Sequence, residues 1–258
     1  MNDDERSIEL QVQVPGTPEQ VWEAIATGPG ISSWYVPHEV EPRAGGAMTA
    51  SFGAAPELQV HGRVAAWEPP RRVVFDGGEG AGGLAFEWLV EAADGGSCIV
   101  RLVNSGFGSG EQWDAQYDGM AEGWVLFLGN LRLHLEHFAG QRATAMLPMA
   151  PWPGSKPHAW ASLTGALGIP EAPQVGSRVV LNPDRSPSLA GTVVEVGPTR
   201  LALLIDEPAP GTGIVAVERH GEASGVSIWA YLYAADGATA AARDLPLWQQ
   251  WLTEAAMG

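Results

Sequence analysis

EQWDAQYDGMAEGWVLFLGNLRLHLEHF (residues 111–138) decides the fold, because it is the longest helical pattern in the chain. Large apolar side chains recur in it at spacings of three and four residues, which places them on one broad face of an α-helix. These side chains are Trp113, Tyr117, Met120, Trp124, Phe127, Leu128, Leu131 and Leu135. A long helix with one apolar face needs a second layer to bury that face.

The residues before this helix predict the second layer as a sheet. Apolar and polar side chains alternate over short segments that are separated by turn signals, which is typical of half-buried antiparallel strands. The predicted strands cover residues 8–14, 47–53, 58–67, 72–76, 84–91 and 98–102. Leu58, Val60 and Val64 share one face of their strand. GGEGAGG (77–83) is predicted as a flexible turn.

A short helix is predicted to follow the first strand. Pro15-Gly16 ends that strand, and Thr17 is suited to cap a helix whose first residue is Pro18. The helix is predicted to end before Gly28-Pro29-Gly30, because this tripeptide favours turns.

The second half of the chain repeats the first in reduced form. Four pairs of segments agree in order: 158–170 with 19–31, 190–206 with 61–76, 213–237 with 83–106, and 245–257 with the long helix. Residues 171–189 are short compared with the early strands of the first half. Residues 147–157 contain four prolines and are predicted as a linker. The predicted organisation is therefore a domain over 1–140, a linker over 141–157 and a truncated second copy over 158–258.

Charge and composition exclude several classes of function. The chain carries 30 acidic and 14 basic residues, a formal net charge of −16, which repels nucleic acid and anionic membranes. The sequence has no run of 18 apolar residues, so we predict no membrane-spanning helix. The acidic N-terminal segment does not resemble a signal peptide. Cys98 is the single cysteine, which suits a reducing compartment. We therefore predict a cytoplasmic protein that binds neither nucleic acid nor membrane.

No catalytic or metal-binding set stands out in the sequence. GFGSG (106–110) lacks the residue order of a nucleophile elbow. His134 and His137 are predicted to lie on the surface near a helix C-terminus, and no third metal ligand accompanies them. Cys98 has the inward phase of its strand and is predicted to be a small buried side chain. We predict no catalytic residue, no metal and no cofactor.

Several motifs resemble one known family. The order of a strand, two short helices, six strands and a long helix is similar to the START-like helix-grip fold of the SRPBCC superfamily. Within it, residues 7–138 resemble the homologues of the heat-shock-protein-90 ATPase activator. The matching segments are PEQVWEAIATGPGISSWYVP (18–37), HGRVAAWEPPRRVVF (61–75), GGSCIVRLVNSGF (95–107) and the helix with Gly123-Trp124 and Leu131. Asn104 stands where this family often has His or Glu.

The resemblance implies an α+β protein in which a curved antiparallel sheet grips the long C-terminal helix around a cavity, in tandem with a truncated second lobe. The inward-phase residues supply largely apolar walls, as in many small-molecule sites. The predicted ligand-binding residues are Trp34, Phe75, Phe86, Trp88, Leu102, Asn104, Tyr117, Met120, Trp124 and Phe127. For each aromatic side chain taken alone, core packing is the more ordinary explanation, because buried aromatic residues are usually structural.

Three functions agree with this prediction, and the fold alone does not choose among them. The first is a binding protein for a small hydrophobic molecule, which the apolar walls and the missing catalytic set favour. The second is a co-chaperone that acts by protein contacts, as the resemblance implies. The third is an enzyme of the cyclase or lyase kind, which would need polar groups in the cavity. Either a monomer or a homodimer fits the duplicated chain.

Overall fold

The computed structural model describes residues 6–53, 55–77, 83–183, 186–220 and 223–257, and the turn predicted at 77–83 lies mostly outside them. The chain divides between Arg142 and Ala143 into two units. In the described residues of each unit, antiparallel strands form one sheet and a long helix closes the chain segment. The predicted α+β class with tandem lobes is confirmed.

The first unit follows the predicted order of elements. They are β1 (Arg6–Pro15), α1 (Pro18–Ala26), α2 (Gly28–Ile31), β2 (His38–Val40), β3 (Ala47–Ser51), β4 (Gln59–Glu68), β5 (Arg72–Asp76), β6 (Ala85–Ala93), β7 (Ser97–Phe107) and α3 (Glu111–His137). The strands lie side by side in the order β1-β7-β6-β5-β4-β3-β2. The first strand, β1, therefore lies at one edge of the sheet and pairs with the last strand, β7.

The start of α1 shows why the chain turns into a helix here. Thr17 accepts a hydrogen bond from the Gln20 backbone N–H at 3.4 Å, and the Gln20 side chain accepts one from the Thr17 N–H at 2.9 Å. This reciprocal pair satisfies two N–H groups that the first helical turn leaves without partners. The predicted cap at Thr17 is confirmed.

Alternation along the strands sorts side chains onto two faces of the first sheet. Most inward side chains of β5, β6 and β7 are buried; the buried ones include Val73, Phe75, Trp88, Val90, Cys98, Val100 and Leu102. The opposite face carries ion pairs such as Arg72 with Glu87 and Arg63 with Asp76. The C-terminal half of α3 is buried through Leu128, Leu131 and Leu135, whereas Tyr117 and Met120 in its N-terminal half are half-buried.

The second unit has the same strand order with one strand fewer on its main path. Its elements are β8 (Thr144–Met146), β9 (Met149–Trp152), α4 (Lys156–Leu167), β10 (Arg178–Leu181), β11 (Leu189–Gly197), β12 (Arg200–Glu207), β13 (Gly211–His220), β14 (Ala223–Leu232) and α5 (Ala234–Ala255). The path runs β10-β11-β12-β13-β14-β8, and β9 also pairs with β14. The early segment and the last strand again lie together, as β1 and β7 do.

The predicted linker is wrong over residues 144–152, because these residues form β8 and β9 of the second sheet. Ala145 pairs with Tyr231, and Ala150 pairs with Val226. Proline is tolerated here because β9 pairs on one side only, so the missing N–H of Pro151 faces away from the ladder. The second copy thus begins near Thr144, not at residue 158.

Two glycines occupy matching places in the two sheets. Gly62 lies in β4 and Gly191 in β11, each followed two residues later by a buried valine. A Cβ at either glycine would come within 3.0 Å of a backbone carbonyl oxygen, that of Asp76 or of Leu204. Both strand pairs shift register just beyond, at Val64/Ala66 and at Val193/Glu195. The repeat therefore preserves a close approach of two backbones.

We expect Gly62→Ala and Gly191→Ala each to lower the free energy of unfolding by about 1–3 kcal/mol, since the backbone oxygen cannot move away as a side chain would. Gly165→Ala is the matched control. Gly165 is exposed on helix α4 and nothing lies within 4 Å of an added Cβ, so alanine there is expected to stabilise the fold by up to about 1 kcal/mol. Chemical denaturation of the three variants measures these changes, and equal stability of all three would contradict the expectation.

Candidate functional site

An aromatic cluster joins the first sheet to α3. We define it as Trp34, Tyr35, Phe86, Trp88, Trp124 and Phe127. The Trp124 ring lies 5.5 Å from the ring of Trp88 and 5.7 Å from that of Phe86, both on β6. Trp88 also meets the Trp34 ring edge-on at 5.8 Å. These centroid distances lie in the range of favourable aromatic pairs, so the cluster connects helix, sheet and the loop after α2.

Tyr35 is the member of the aromatic cluster that the sequence prediction missed. Its ring centre is 4.5 Å from that of Phe127 and 5.1 Å from that of Trp124. It also contacts the rings of Trp34 and His38. Tyr35 is half-buried and lies in an irregular segment, where no periodicity assigns a side chain to a face.

Asn104 lies on the inward face of β7 directly beside this cluster. It pairs with Phe86 on β6 and with Ile8 on β1, so the three side chains share one face of the sheet. The side chain is fully buried, and its Nδ2 donates a hydrogen bond to the Ala85 carbonyl at 3.1 Å. Among the described residues, none donates a hydrogen bond to its Oδ1.

A second buried amide, Asn130 on α3, also escaped prediction. Its Nδ2 donates a hydrogen bond of 2.7 Å to the Trp34 carbonyl, which ties α3 to the loop after α2. Its Oδ1 likewise has no hydrogen-bond donor within the described part of the chain. The available signal was an asparagine three residues after Phe127, inside an otherwise apolar stripe.

The other predicted ligand-binding residues surround the cluster. Phe75 and Leu102 are buried on the inward face, opposite Phe86 and Trp88 respectively. Tyr117 packs on Phe107 with ring centres 5.1 Å apart, and its hydroxyl donates to the Ser7 carbonyl at 3.1 Å. Met120 lies between Tyr117 and Trp124 along α3 and is half-buried. The structure thus brings the predicted set to one side of the first sheet.

The inward face stays open to solvent at the β3–β4 end of the sheet. Val60 pairs with the buried Ala50 and shares its face, yet it is 46% exposed. Phe52 and Leu58 in the connecting turn are 36% and 43% exposed. Phe52 reaches back to the Tyr35 ring, with centres 6.2 Å apart. Exposed apolar side chains at this end of the sheet are therefore in contact with the aromatic cluster through Phe52 and Tyr35.

Two histidines have pKa values lowered by burial. The pKa of His134 falls to about 4 because its ring is buried, so the predicted surface position of His134 is wrong. His137, one turn later, is exposed as predicted. Burial also lowers the pKa of His38 to about 4, opposed by a hydrogen bond with the Val36 carbonyl. Both rings are neutral at pH 7.

The described residues contain neither a candidate metal site nor a helix that could span a membrane. No group of three His, Cys, Asp or Glu side chains among them is arranged to hold a metal ion. Likewise, no helix in the described part of the chain has both the length and the apolar character needed to cross a membrane.

Residues 15–136 of the first unit match the model of the family described as Activator of Hsp90 ATPase homolog 1-like protein. That family belongs to the START-like, or SRPBCC, superfamily, so the resemblance predicted from the sequence is confirmed. No curated protein matches the chain.

Three solved structures illustrate the similarity. The Aha1 dimer from Colwellia psychrerythraea is 17% identical with a TM-score of 0.43, over 51% of this chain and 97% of that one. The di-domain ARO/CYC BexL of the BE-7585A biosynthetic pathway is 14% identical with a TM-score of 0.44, over 98% and 96%. DynU16 of the dynemicin biosynthetic locus is 18% identical with a TM-score of 0.44, over 99% and 97%.

We expect the free energy of unfolding to decline as the pH falls from about 6.5 to about 4, in part because of His134. Between these values the unfolded chain binds a proton at this ring that the folded protein does not, so acid favours unfolding. Over this pH range, His134 is expected to lower the free energy of unfolding by about 3 kcal/mol. Denaturant titrations across this range should give a shallower decline for His134→Leu, whereas the exposed control His137→Leu should follow the wild-type slope. Parallel curves for all three proteins would contradict the expectation.

Proposed function

We propose that the first unit, a domain of the Activator of Hsp90 ATPase homolog 1-like family, binds a small, largely apolar molecule between β6–β7 and α3. One observation supports this more than any other: a buried amide oxygen, Asn104 Oδ1, lies beside the aromatic cluster and accepts no hydrogen bond from the described residues. A ligand inserted there would meet aromatic walls and one polar anchor, which is the usual make-up of a small-molecule site.

The alternative is that the aromatic cluster only fills the core. A purely structural core rarely leaves a buried oxygen without a donor, since each such group costs about 1–3 kcal/mol. Leucine at position 104 would have the same branched shape without this penalty. The asparagine therefore favours a binding role for its surroundings over packing alone.

The open end of the sheet supplies a route for the ligand. Phe52, Leu58 and Val60 expose apolar surface on the face that continues inward to Tyr35. In our proposal, the ligand enters past these residues and comes to rest against Trp124 and Phe86, close to Asn104.

A second candidate function is that of a co-chaperone, which the family match over residues 15–136 favours. The two functions are distinguished by what binds. A co-chaperone would stimulate the ATPase of a partner chaperone and would not need the inward face, so substitutions at Trp124 or Phe86 would leave that stimulation intact.

We expect the neutral fluorophore N-phenyl-1-naphthylamine to bind the full chain with enhanced emission, because aromatic walls exclude water around the dye. Phe86→Ala and Trp124→Leu should each weaken its binding about fivefold or more, since they remove ring contacts of the cluster. Phe86 is only half-buried, so its variant is expected to remain folded. Fluorescence titration measures the dissociation constants.

Trp160→Leu is the control, because Trp160 is a partly buried tryptophan that packs against the core of the second unit. Native mass spectrometry of protein purified from its own host, followed by organic extraction, gives an independent test. A co-purifying apolar molecule that Trp124→Leu loses would support the proposal. Absence of such a molecule, together with dye binding that is weak or equally affected by Trp160→Leu, would refute it.

A further inference from the structure

We infer that the ligand is a neutral molecule with a hydroxyl or N–H group that donates a hydrogen bond to Asn104 Oδ1, and that carboxylates and other anions are excluded. This inference rests on the proposed function and adds the chemistry that the site selects.

The orientation of the Asn104 amide follows from its neighbour. The Ala85 carbonyl oxygen can only accept a hydrogen bond, so the side-chain group 3.1 Å from it must be the Nδ2 donor. The Oδ1 atom then points away from that carbonyl. Oδ1 is then the polar atom of this side chain that has no hydrogen-bond partner among the described residues.

The position of Asn104 places this acceptor among apolar neighbours. Phe86 lies beside it in the ladder and packs on Trp124 of α3. On the other side, Ile8 pairs with Asn104, and Tyr117 of α3 is bonded to Ser7 next to Ile8. On the sheet, Asn104 therefore lies between the two places, Phe86 and Ser7, that aromatic residues of α3 contact.

Three polar side chains at this site each donate one hydrogen bond to the backbone. The Tyr117 hydroxyl donates to Ser7, the Trp34 indole N–H donates to Ala24 at 2.9 Å, and the Asn104 amide donates to Ala85. A ligand hydroxyl fits the Asn104 amide best, because it can donate to Oδ1 and also accept from the second N–H of Nδ2. A carbonyl or carboxylate can only accept, so it leaves Oδ1 without a donor. A ligand hydroxyl or N–H gains a bond without breaking one.

The charges near Asn104 also disfavour anions. Arg101 on β7 and Arg72 on β5 have the opposite phase to the buried face and form ion pairs with Glu91 and Glu87. Arg6 does approach the site, lying 4.4 Å from the centre of the Tyr117 ring, but it is paired with Asp114. A buried carboxylate without a cation would carry a large desolvation penalty.

The test compares three naphthalenes of similar size as competitors of the fluorophore at pH 7. 2-Naphthol offers a donor, 2-methoxynaphthalene keeps the oxygen but cannot donate, and 2-naphthoate is an anion. For the wild-type chain we expect 2-naphthol to bind roughly two- to tenfold tighter than 2-methoxynaphthalene, the range of one net hydrogen bond. 2-Naphthoate should bind weakest.

Asn104→Leu should bring the ratio of the first two dissociation constants close to one. Asn130→Leu is the matched control, because it removes another buried amide with an unpartnered oxygen and should keep the wild-type ratio. The ratio is measured within each variant, and circular dichroism checks folding. If Asn104→Leu does not fold, Asn104→Ser is used in its place. We expect this variant to bring the ratio of the two dissociation constants closer to one.

The outcomes separate this inference from the proposed function. If none of the naphthalenes displaces the dye and the dye itself does not bind, the proposed function fails. If all bind but wild type does not distinguish 2-naphthol from 2-methoxynaphthalene, or prefers 2-naphthoate, the site is apolar and the assignment to Asn104 is wrong. If Asn130→Leu, and not Asn104→Leu, brings the ratio close to one, the ligand donates its hydrogen bond to Asn130 instead of Asn104.

Discussion

The burial of one face of α3 against the inward face of the first sheet is the constraint on which the rest of that unit depends. The helix is apolar on one side over many turns, and its C-terminal half is buried through Leu128, Leu131 and Leu135. Its N-terminal half is held by rings and by hydrogen bonds, such as that from Tyr117 to Ser7. The proposed site lies where dense apolar packing gives way to this mixed contact.

Local periodicity accounts for the part of the fold that was predictable. Alternation within β5, β6 and β7 and the stripe along α3 are properties of neighbouring residues, so they can be read without knowing the partners. The proline-rich stretch at 147–157 misled for the same reason. Whether proline is accepted in a strand depends on whether that strand lies at an edge of the sheet, and only the pairing of β9 with β14 settles that.

The candidate site was predictable where strand phase fixed a side chain, and not where tertiary packing did. Asn104 and Trp88 follow from alternation on β7 and β6. Tyr35 lies in an irregular loop, and the burial of His134 results from what packs over the end of α3, so neither could be derived from spacing. His134 and Asn130 are polar residues, which a sequence pattern assigns to the surface by default, yet both are buried in the structure.

The pairing of the first strand with the last has a consequence for how the polypeptide matures during synthesis. Val14 pairs with Cys98 and Ile8 pairs with Asn104, so this ladder joins residues that are more than 80 positions apart. During synthesis, the backbone N–H and C=O groups of β1 therefore have no strand partner until β7, near the end of the unit, has emerged from the ribosome. Long-range closure of this kind slows folding and leaves a nascent strand open to misassembly. Asn104, which we propose binds the ligand, lies on β7, the strand whose synthesis allows β1 to pair.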